Sequence, residues 1–320
     1  MWRRVLSVVF CVLTASAAVA DDAHVRLTAA FDAWLAKADT QGQIATALPG
    51  PDGLDLVRTG SGMVELASVS KSVTALCVLD LVEAGRLDWS DRLADLLGQA
   101  PDVTVAQLIT HSGGLAPDNT QGVMALWLNR ATPDSAHFSA QVLRIVNART
   151  TQEATPGTYH YNNENYALLG LVIEAVTGTP YLDHCRAALD LGDGIAASPH
   201  AMAMQPWGGL MAEPAAHLAF LHRHFGPDSA VGQDPFAYPH VPTGGGAYYG
   251  LGMAFRAHGD GHNFWHFGAW CFPDRFNQGS FAVIWQDKAA ALAAYDACVS
   301  RDMMFDLDAA LVGAVYGGVQ

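Results

Sequence analysis

Ser68 and Lys71 stand three residues apart at the head of an apolar run, Ser68-Val69-Ser70-Lys71-Ser72-Val73-Thr74-Ala75-Leu76. The pattern predicts a helix from Ser68 to about Glu83, stopped at Gly85, and one helical turn brings hydroxyl and amine onto the same face. An amine packed beside Val69, Val73 and Leu76 loses hydration, which disfavours its charged form and moves it toward a useful base. The helix N-terminus favours negative charge developing on an attacked carbonyl. The chemistry this suggests is nucleophilic attack by serine with lysine as proton acceptor. The chain holds 14 Ser and three Lys, so a Ser-x-x-Lys arises by chance in roughly one chain in eight. A solvated surface pair is the competing reading, and more of the chain is needed to choose.

The remaining elements must hold that pair in place. The 320 residues are 51% hydrophobic and 15% charged, a globular composition large enough for one or two intimate domains. Helical spacing marks residues 22–37 as an amphipathic opening helix. Short strands are expected at Gln43–Leu48 and Leu54–Thr59, and helices at Val105–Thr110, Ser139–Asn147, Tyr166–Val176 and Pro214–His224. Strands return at Tyr249–Arg256, Asn263–Trp270 and Ser280–Gln286, and Lys288–Val315 reads as one or two terminal helices. This predicts an α/β fold: an antiparallel sheet closed by distant segments (about 21–67 and 240–320), flanked by N- and C-terminal helices, with a mainly helical part (about 68–239) inserted.

Met1-Trp2-Arg3-Arg4 is a basic start, Val5 to Ala17 an apolar run and Ala18-Val19-Ala20 a cleavage site, so residues 1–20 are expected to be a signal peptide and residues 21–320 a periplasmic or secreted unit. The run is too short for a stable membrane anchor. Without Arg3 and Arg4 the charge is 15 − 31 = −16, which repels phosphate backbones and excludes nucleic acid as a partner. No HExxH, P-loop or GxGxxG is present, and the widely spaced cysteines form no zinc pattern, so no metal or other cofactor is expected.

Further segments carry a resemblance. Glu65 to Ala75, with Ser68 and Lys71 inside it, resembles the nucleophile segment of the class C β-lactamase, DD-peptidase and esterase family of serine hydrolases. Leu108-Ile109-Thr110-His111-Ser112-Gly113-Gly114-Leu115 is similar to the family's L-L-T-H-T-S-G-L loop, departing at Ser112-Gly113. Pro156-Gly157-Thr158-Tyr159-His160-Tyr161-Asn162-Asn163 resembles its P-G-x-x-F-x-Y-S-N segment, one residue shorter. Gly208-Gly209-Leu210 and Tyr249-Gly250-Leu251-Gly252 resemble two more landmarks, and His266-Phe267-Gly268 stands where the family has K-T-G or H-x-G. All occur in the family's order between about residues 60 and 270. The resemblance implies acylation of Ser68, proton transfer through Lys71 and Tyr161, positioning of Lys71 and substrate by Asn163, and an oxyanion hole of the Ser68 and Ala269 N–H groups beside His266 and Gly268. It leaves open whether Lys71 or Tyr161 is the base.

Two departures bear on substrate. His266 in place of lysine removes a permanent cation that would bind a β-lactam carboxylate, and Trp270 and Phe272 narrow the acyl pocket. The expected function is therefore an acyl-enzyme serine hydrolase acting on a small molecule or peptide, at ester or D-amino-acid peptide or amide bonds. A β-lactamase proper and a catalytically silent binding protein of the same fold are the alternatives. The oligomeric state is not legible. If His266 faces the cleft, Cys271, five residues on, faces the other side of the sheet, where a terminal helix beginning soon after Gln286 would bring Cys298 to the same height. A Cys271–Cys298 disulfide is expected, with Cys77 and Cys185 as free buried thiols.

Overall fold

In the computed structural model, which describes residues 7–50, 53–130, 135–149, 153–286 and 288–317, the strands gather from both ends of the chain. They are β1 (Gly42–Gly50), β2 (Gly53–Arg58), β3 (Val64–Glu65), β4 (Ile195–Ala197), β5 (Leu210–Ala212), β6 (Val241–Gly244), β7 (Ala247–Gly250), β8 (Met253–His258), β9 (Gly261–Phe272), β10 (Phe276–Trp285) and β11 (Ala289–Tyr295). The helices are α1 (Ser7–Ala38), α2 (Lys71–Glu83), α3 (Leu93–Leu97), α4 (Val105–Ile109), α5 (Thr120–Trp127), α6 (Ser135–Asn147), α7 (Asn163–Thr177), α8 (Tyr181–Ala188), α9 (Pro214–Phe225), α10 (Ala230–Gln233) and α11 (Arg301–Tyr316). Eight strands form an antiparallel sheet in the order β2-β1-β11-β10-β9-β8-β7-β6. The mixed α/β architecture and the flanking terminal helices are those the sequence pattern predicts.

The large sheet separates two cores. On one face Leu27, Phe31 and Trp34 of α1 and Leu307 and Leu311 of α11 bury against Phe281, Val283, Ala291 and Ala293. On the other, Ala282, Ile284, Ala290, Leu292 and Ala294 join the core of the inserted part. At its centre stand α2 and α7, which pack on each other. Each has 10 buried positions, so both are buried all round rather than amphipathic. Their N-termini open on the same cleft and carry Lys71 and Asn163.

Several expectations need correction. Ala289–Tyr295, read as the start of a terminal helix, is strand β11; all seven residues are buried, and helix begins only at Arg301. Alanine's preference for helix is worth a few tenths of a kcal/mol per residue. A central strand gains two hydrogen-bonded neighbours and burial on both faces, and small side chains suit it there. Tyr249–Arg256 is not one strand but the β7–β8 hairpin, turning at Leu251 and Gly252. The mainly helical part also supplies β4 and β5, which form a small second sheet with β3 from the segment before it, and its helix α9 packs on β1, β2 and β11 of the large sheet.

Cys271, on β9, is bridged to Cys298 with Cα atoms 5.1 Å apart, but Cys298 lies in the loop before α11 and not in a helix. Cys77 and Cys185 are not free: they join α2 to α8, with Cα atoms 5.4 Å apart. Two buried small side chains on adjoining helices cannot be told from a bridge by sequence spacing alone. Helix α1 runs from Ser7 through the expected cleavage point after Ala20; the basic start within Met1–Leu6 lies outside the described residues. Among the described residues no helix is long and apolar enough to cross a membrane.

Candidate active site

Ser68 sits in a 3-10 turn, Ala67–Ser70, that leads into α2. Ala67 adopts the left-handed region at φ 45°, a strained backbone for a residue with a side chain. The turn rests on β9 where Gly268 has no side chain. A Cβ there would lie 2.4 Å from the Leu66 carbonyl oxygen and 2.2 Å from Ser280 Oγ. Ser280 Oγ in turn donates to Leu66 O at 2.6 Å. The glycine of His266-Phe267-Gly268 is thus what lets the serine's backbone reach the strand.

Lys71 is fully buried. Its Nζ lies 2.6 Å from Trp207 O, 2.8 Å from Asn163 Oδ1 and 3.1 Å from Ser68 Oγ. Burial pushes its pKa down to about 7, with the Asp118 carboxylate opposing part of that shift. A neutral amine has two N–H bonds and one lone pair. The Trp207 and Asn163 oxygens can only accept, so they take both N–H bonds and the lone pair is left facing the Ser68 hydroxyl. The hairpin turn at Gly252 packs on the same residue: Gly252 has φ +77°, and a Cβ there would lie 2.5 Å from Lys71 O.

Asn163 is held in turn. Its Nδ2 donates to Asp118 Oδ2 at 3.0 Å and its backbone N–H to the same oxygen at 3.2 Å. Below it Glu164 is fully buried, paired with Arg149 at 2.5 Å and accepting from the Asn119 N–H at 3.1 Å. The Tyr161 ring lies 5.0 Å from Lys71 Nζ. Burial raises its hydroxyl's pKa well above the usual phenol range, and the nearby Ser68 hydroxyl offsets part of this without completing a hydrogen bond to it. His111 packs against Tyr161 with ring centroids 4.4 Å apart. Its Nδ1 faces the Asn162 N–H at 3.3 Å and Asn165 Nδ2 at 3.0 Å, so its proton sits on Nε2. Burial, then Lys71 and His266, hold its pKa well below the usual range.

Across the cleft, His266 Nδ1 lies 2.6 Å from Phe267 O and Nε2 3.2 Å from the Tyr249 hydroxyl. The carbonyl can only accept, so Nδ1 donates and Nε2 accepts from Tyr249. Burial, reinforced by Lys71, pulls the pKa of His266 to about 3. The register of β9 settles where Ala269 N–H points. His258 and Gly261 flank a two-residue turn, which makes 258/261, 256/263 and 254/265 the hydrogen-bonded pairs of β8 and β9. Odd-numbered N–H groups of β9 therefore face β8, whose pairing ends at Trp265. The N–H of Ala269 opens into the cleft. Ser68 N–H lies in the first turn of its helix, where donors have no helical acceptor. A pocket of about 480 Å³ fills the cleft and continues round the free edge of β9, where Trp265, Phe267 and Met304 of the far face also line it. Among the described residues its lining includes no Arg, Lys, Asp or Glu, and it is largely aromatic.

Residues 12–189 match the Beta-lactamase family. The chain belongs to that family. Penicillin-binding protein 4 of Amycolatopsis lactamdurans is 30% identical over 148 residues, 43% of this chain and 36% of that protein. The chain spans about a third of the length of the curated relatives it matches. Among solved structures, the octameric penicillin-binding protein homologue of Pyrococcus abyssi aligns with TM-score 0.71 at 18% identity, covering 91% of this chain and 77% of that one. D-amino acid amidase of Ochrobactrum anthropi SV3, complexed with L-phenylalanine amide, aligns with TM-score 0.70 at 17% identity over 92% and 99%. These share the fold. Within this Beta-lactamase family chain the structure brings Ser68, Lys71, Tyr161 and Asn163 together, with His266, Gly268 and Ala269 opposite. Sequence reasoning missed Asp118, the Trp207 carbonyl, the Arg149–Glu164 pair and the Tyr249–His266 contact. A carbonyl leaves no trace in residue type, and Asp118 sits 45 positions from the asparagine it holds.

Proposed function

We propose that this chain is an acyl-enzyme serine hydrolase of small, uncharged esters and amides. The carrying observation is the buried Lys71 Nζ within hydrogen-bond distance of Trp207 O, Asn163 Oδ1 and Ser68 Oγ; once neutral, the amine gives its two N–H bonds to the two pure acceptors and turns its lone pair to Ser68. In the first step the Ser68 O–H proton passes to Lys71 Nζ while Oγ bonds to the substrate carbonyl carbon. The oxyanion is taken by the N–H groups of Ser68 and Ala269. The proton then leaves with the alcohol or amine, through Lys71 or the Tyr161 hydroxyl, and the acyl-enzyme forms. Water attacks the acyl-enzyme by the same relay in reverse. His266 stays neutral and serves as a wall, not a cation.

The uncharged aromatic lining supports substrates with neither a free carboxylate nor a free amine near the scissile bond, which places esters ahead of β-lactams. The names of the relatives, penicillin-binding protein and D-amino acid amidase, favour acyl transfer of this kind over a silent binding role. The leader-like first twenty residues support export to the periplasm or beyond. A fluorophosphonate probe should add its mass to a peptide containing Ser68, and Ser68→Ala should abolish labelling. Labelling that persists in Ser68→Ala would overturn the assignment.

A further inference from the structure

The Asp118 carboxylate, in the loop between α4 and α5, meets no cation directly among the described residues. Its Oδ1 accepts from Thr120 N–H at 3.0 Å and Thr120 Oγ1 at 2.6 Å. Its Oδ2 accepts from Asn163 N–H and Nδ2 and, at 3.4 Å, from Gln121 Nε2. Every one of these donors is neutral. The neighbouring anion Glu164 is already paired with Arg149. The charge of Asp118 is therefore free to act across Asn163, whose other amide atom, Oδ1, holds Lys71. The remaining groups around the amine add no opposing ion: His111 and His266 are neutral, and Tyr161 and Tyr166 present ring faces at 5.0 and 5.7 Å.

We infer that Asp118 is a positioning residue for the serine's base: through Asn163 it orients the Lys71 amine, and its charge, held one amide away, sets the pH range in which that amine accepts the proton. A carboxylate in direct contact would fix lysine as a cation, and no carboxylate at all would leave burial unopposed. The spacer gives the intermediate case. The inference rests on the reading of Ser68 as nucleophile.

The test is the second-order rate of fluorophosphonate inactivation of the full chain between pH 5 and 9, with mass spectrometry to locate the adduct. The wild type should show an acid limb near pH 7. Asp118→Asn removes the anion, so the protonated amine is less favoured and the limb should move down by roughly one pH unit, with a several-fold lower plateau. Asp118→Ala should move it in the same direction. Thr120→Val loosens the same carboxylate without removing charge; it should lower the melting temperature and leave the limb in place. An unmoved limb in folded Asp118→Asn or Asp118→Ala overturns the proposal, as does a Thr120→Val limb displaced as far as theirs. The wild type gives an independent check, because the chain has only three lysines and 13Cε-lysine NMR resolves them. A Lys71 midpoint near 7 supports the proposal, and one near the free-lysine range overturns it. No label on wild-type Ser68 overturns the site reading itself, whereas labelling with an unmoved limb overturns only the role of Asp118.

Discussion

The two walls of the cleft treat polarity in opposite ways. On the helical wall, Lys71, Asn163 and Asp118 form a chain of hydrogen bonds in which an ionisable amine is buried and yet fully partnered. On the sheet wall, His266 is locked between Phe267 O and Tyr249 and kept neutral, while the free edge of β9 offers backbone N–H groups. In the proposed mechanism one wall holds the proton acceptor, and the other holds shape and dipoles. Nucleophile strength and substrate choice are thus largely separable: His266 is neutral, and although Lys71 helps keep it so, no ion pair joins the two walls among the described residues.

The largest effect should come from the helical wall. Lys71→Ala is expected to lower the acylation rate by roughly 10²–10⁴-fold, with substrate affinity changed far less, as measured by nitrophenol release. In the wild type the rate should rise with pH through about 7, because only the neutral amine accepts the serine proton. Turnover surviving within a few fold would transfer the base role to Tyr161 and undo the contrast between the walls.

The two disulfides extend the comparison to stability. Cys77–Cys185 closes 108 residues in the helical part, Cys271–Cys298 only 27 beside the sheet wall. Chain-entropy reasoning makes the first worth about 5 kcal/mol and the second about 3.5. The Cys77→Ala/Cys185→Ala protein should therefore melt lower than Cys271→Ala/Cys298→Ala. The reverse order in calorimetry would show that the sheet side depends more on its bridge.

How much of this was legible follows a physical rule. Elements with one period were readable, as in the apolar spacing of α1 and the alternation in β9; β10, buried on both faces over its second half, was readable from its β-branched and aromatic residues Phe281, Val283, Ile284 and Trp285 instead. The central strand β11 was not, because seven residues buried on both faces carry no alternation and alanine looks helical. At the site, side chains in contiguous motifs such as Ser68–Lys71 and Tyr161–Asn163 could be named in advance. The contacts that tune them could not, because they are backbone carbonyls, as at Trp207, or side chains such as Asp118 that the fold brings in from elsewhere. The Cys271–Cys298 pairing was reached through strand alternation, although the helix invoked to carry Cys298 turned out to be a strand and a loop.

On the sheet wall the expected effects are smaller. With no lysine or arginine in the lining among the described residues and His266 neutral, ester turnover should exceed penicillin turnover. His266→Lys is expected to raise penicillin acylation by roughly 10–100-fold, the worth of one added charge near a carboxylate in a partly screened site. Efficient penicillin turnover by the wild type without ester activity would refute the ranking.

The smallest effect is expected at Tyr249. Its hydroxyl is the donor that satisfies His266 Nε2 at 3.2 Å, and the phenol ring also packs on His111 at 4.9 Å. Tyr249→Phe keeps the ring and removes the donor, leaving a buried acceptor unpaired at a cost of about 1–3 kcal/mol. That should appear mainly as a lower melting temperature. Ester kcat/KM should fall by no more than about tenfold, since His266 holds no proton in transit and its Nδ1 bond to Phe267 O still fixes the ring. The acid limb near pH 7 should not move, because the groups that set it, burial and Asp118, lie on the other wall. A limb displaced by half a pH unit or more would show that the walls communicate through the His111–Tyr249–His266 rings, and the sheet wall would then share in tuning the base.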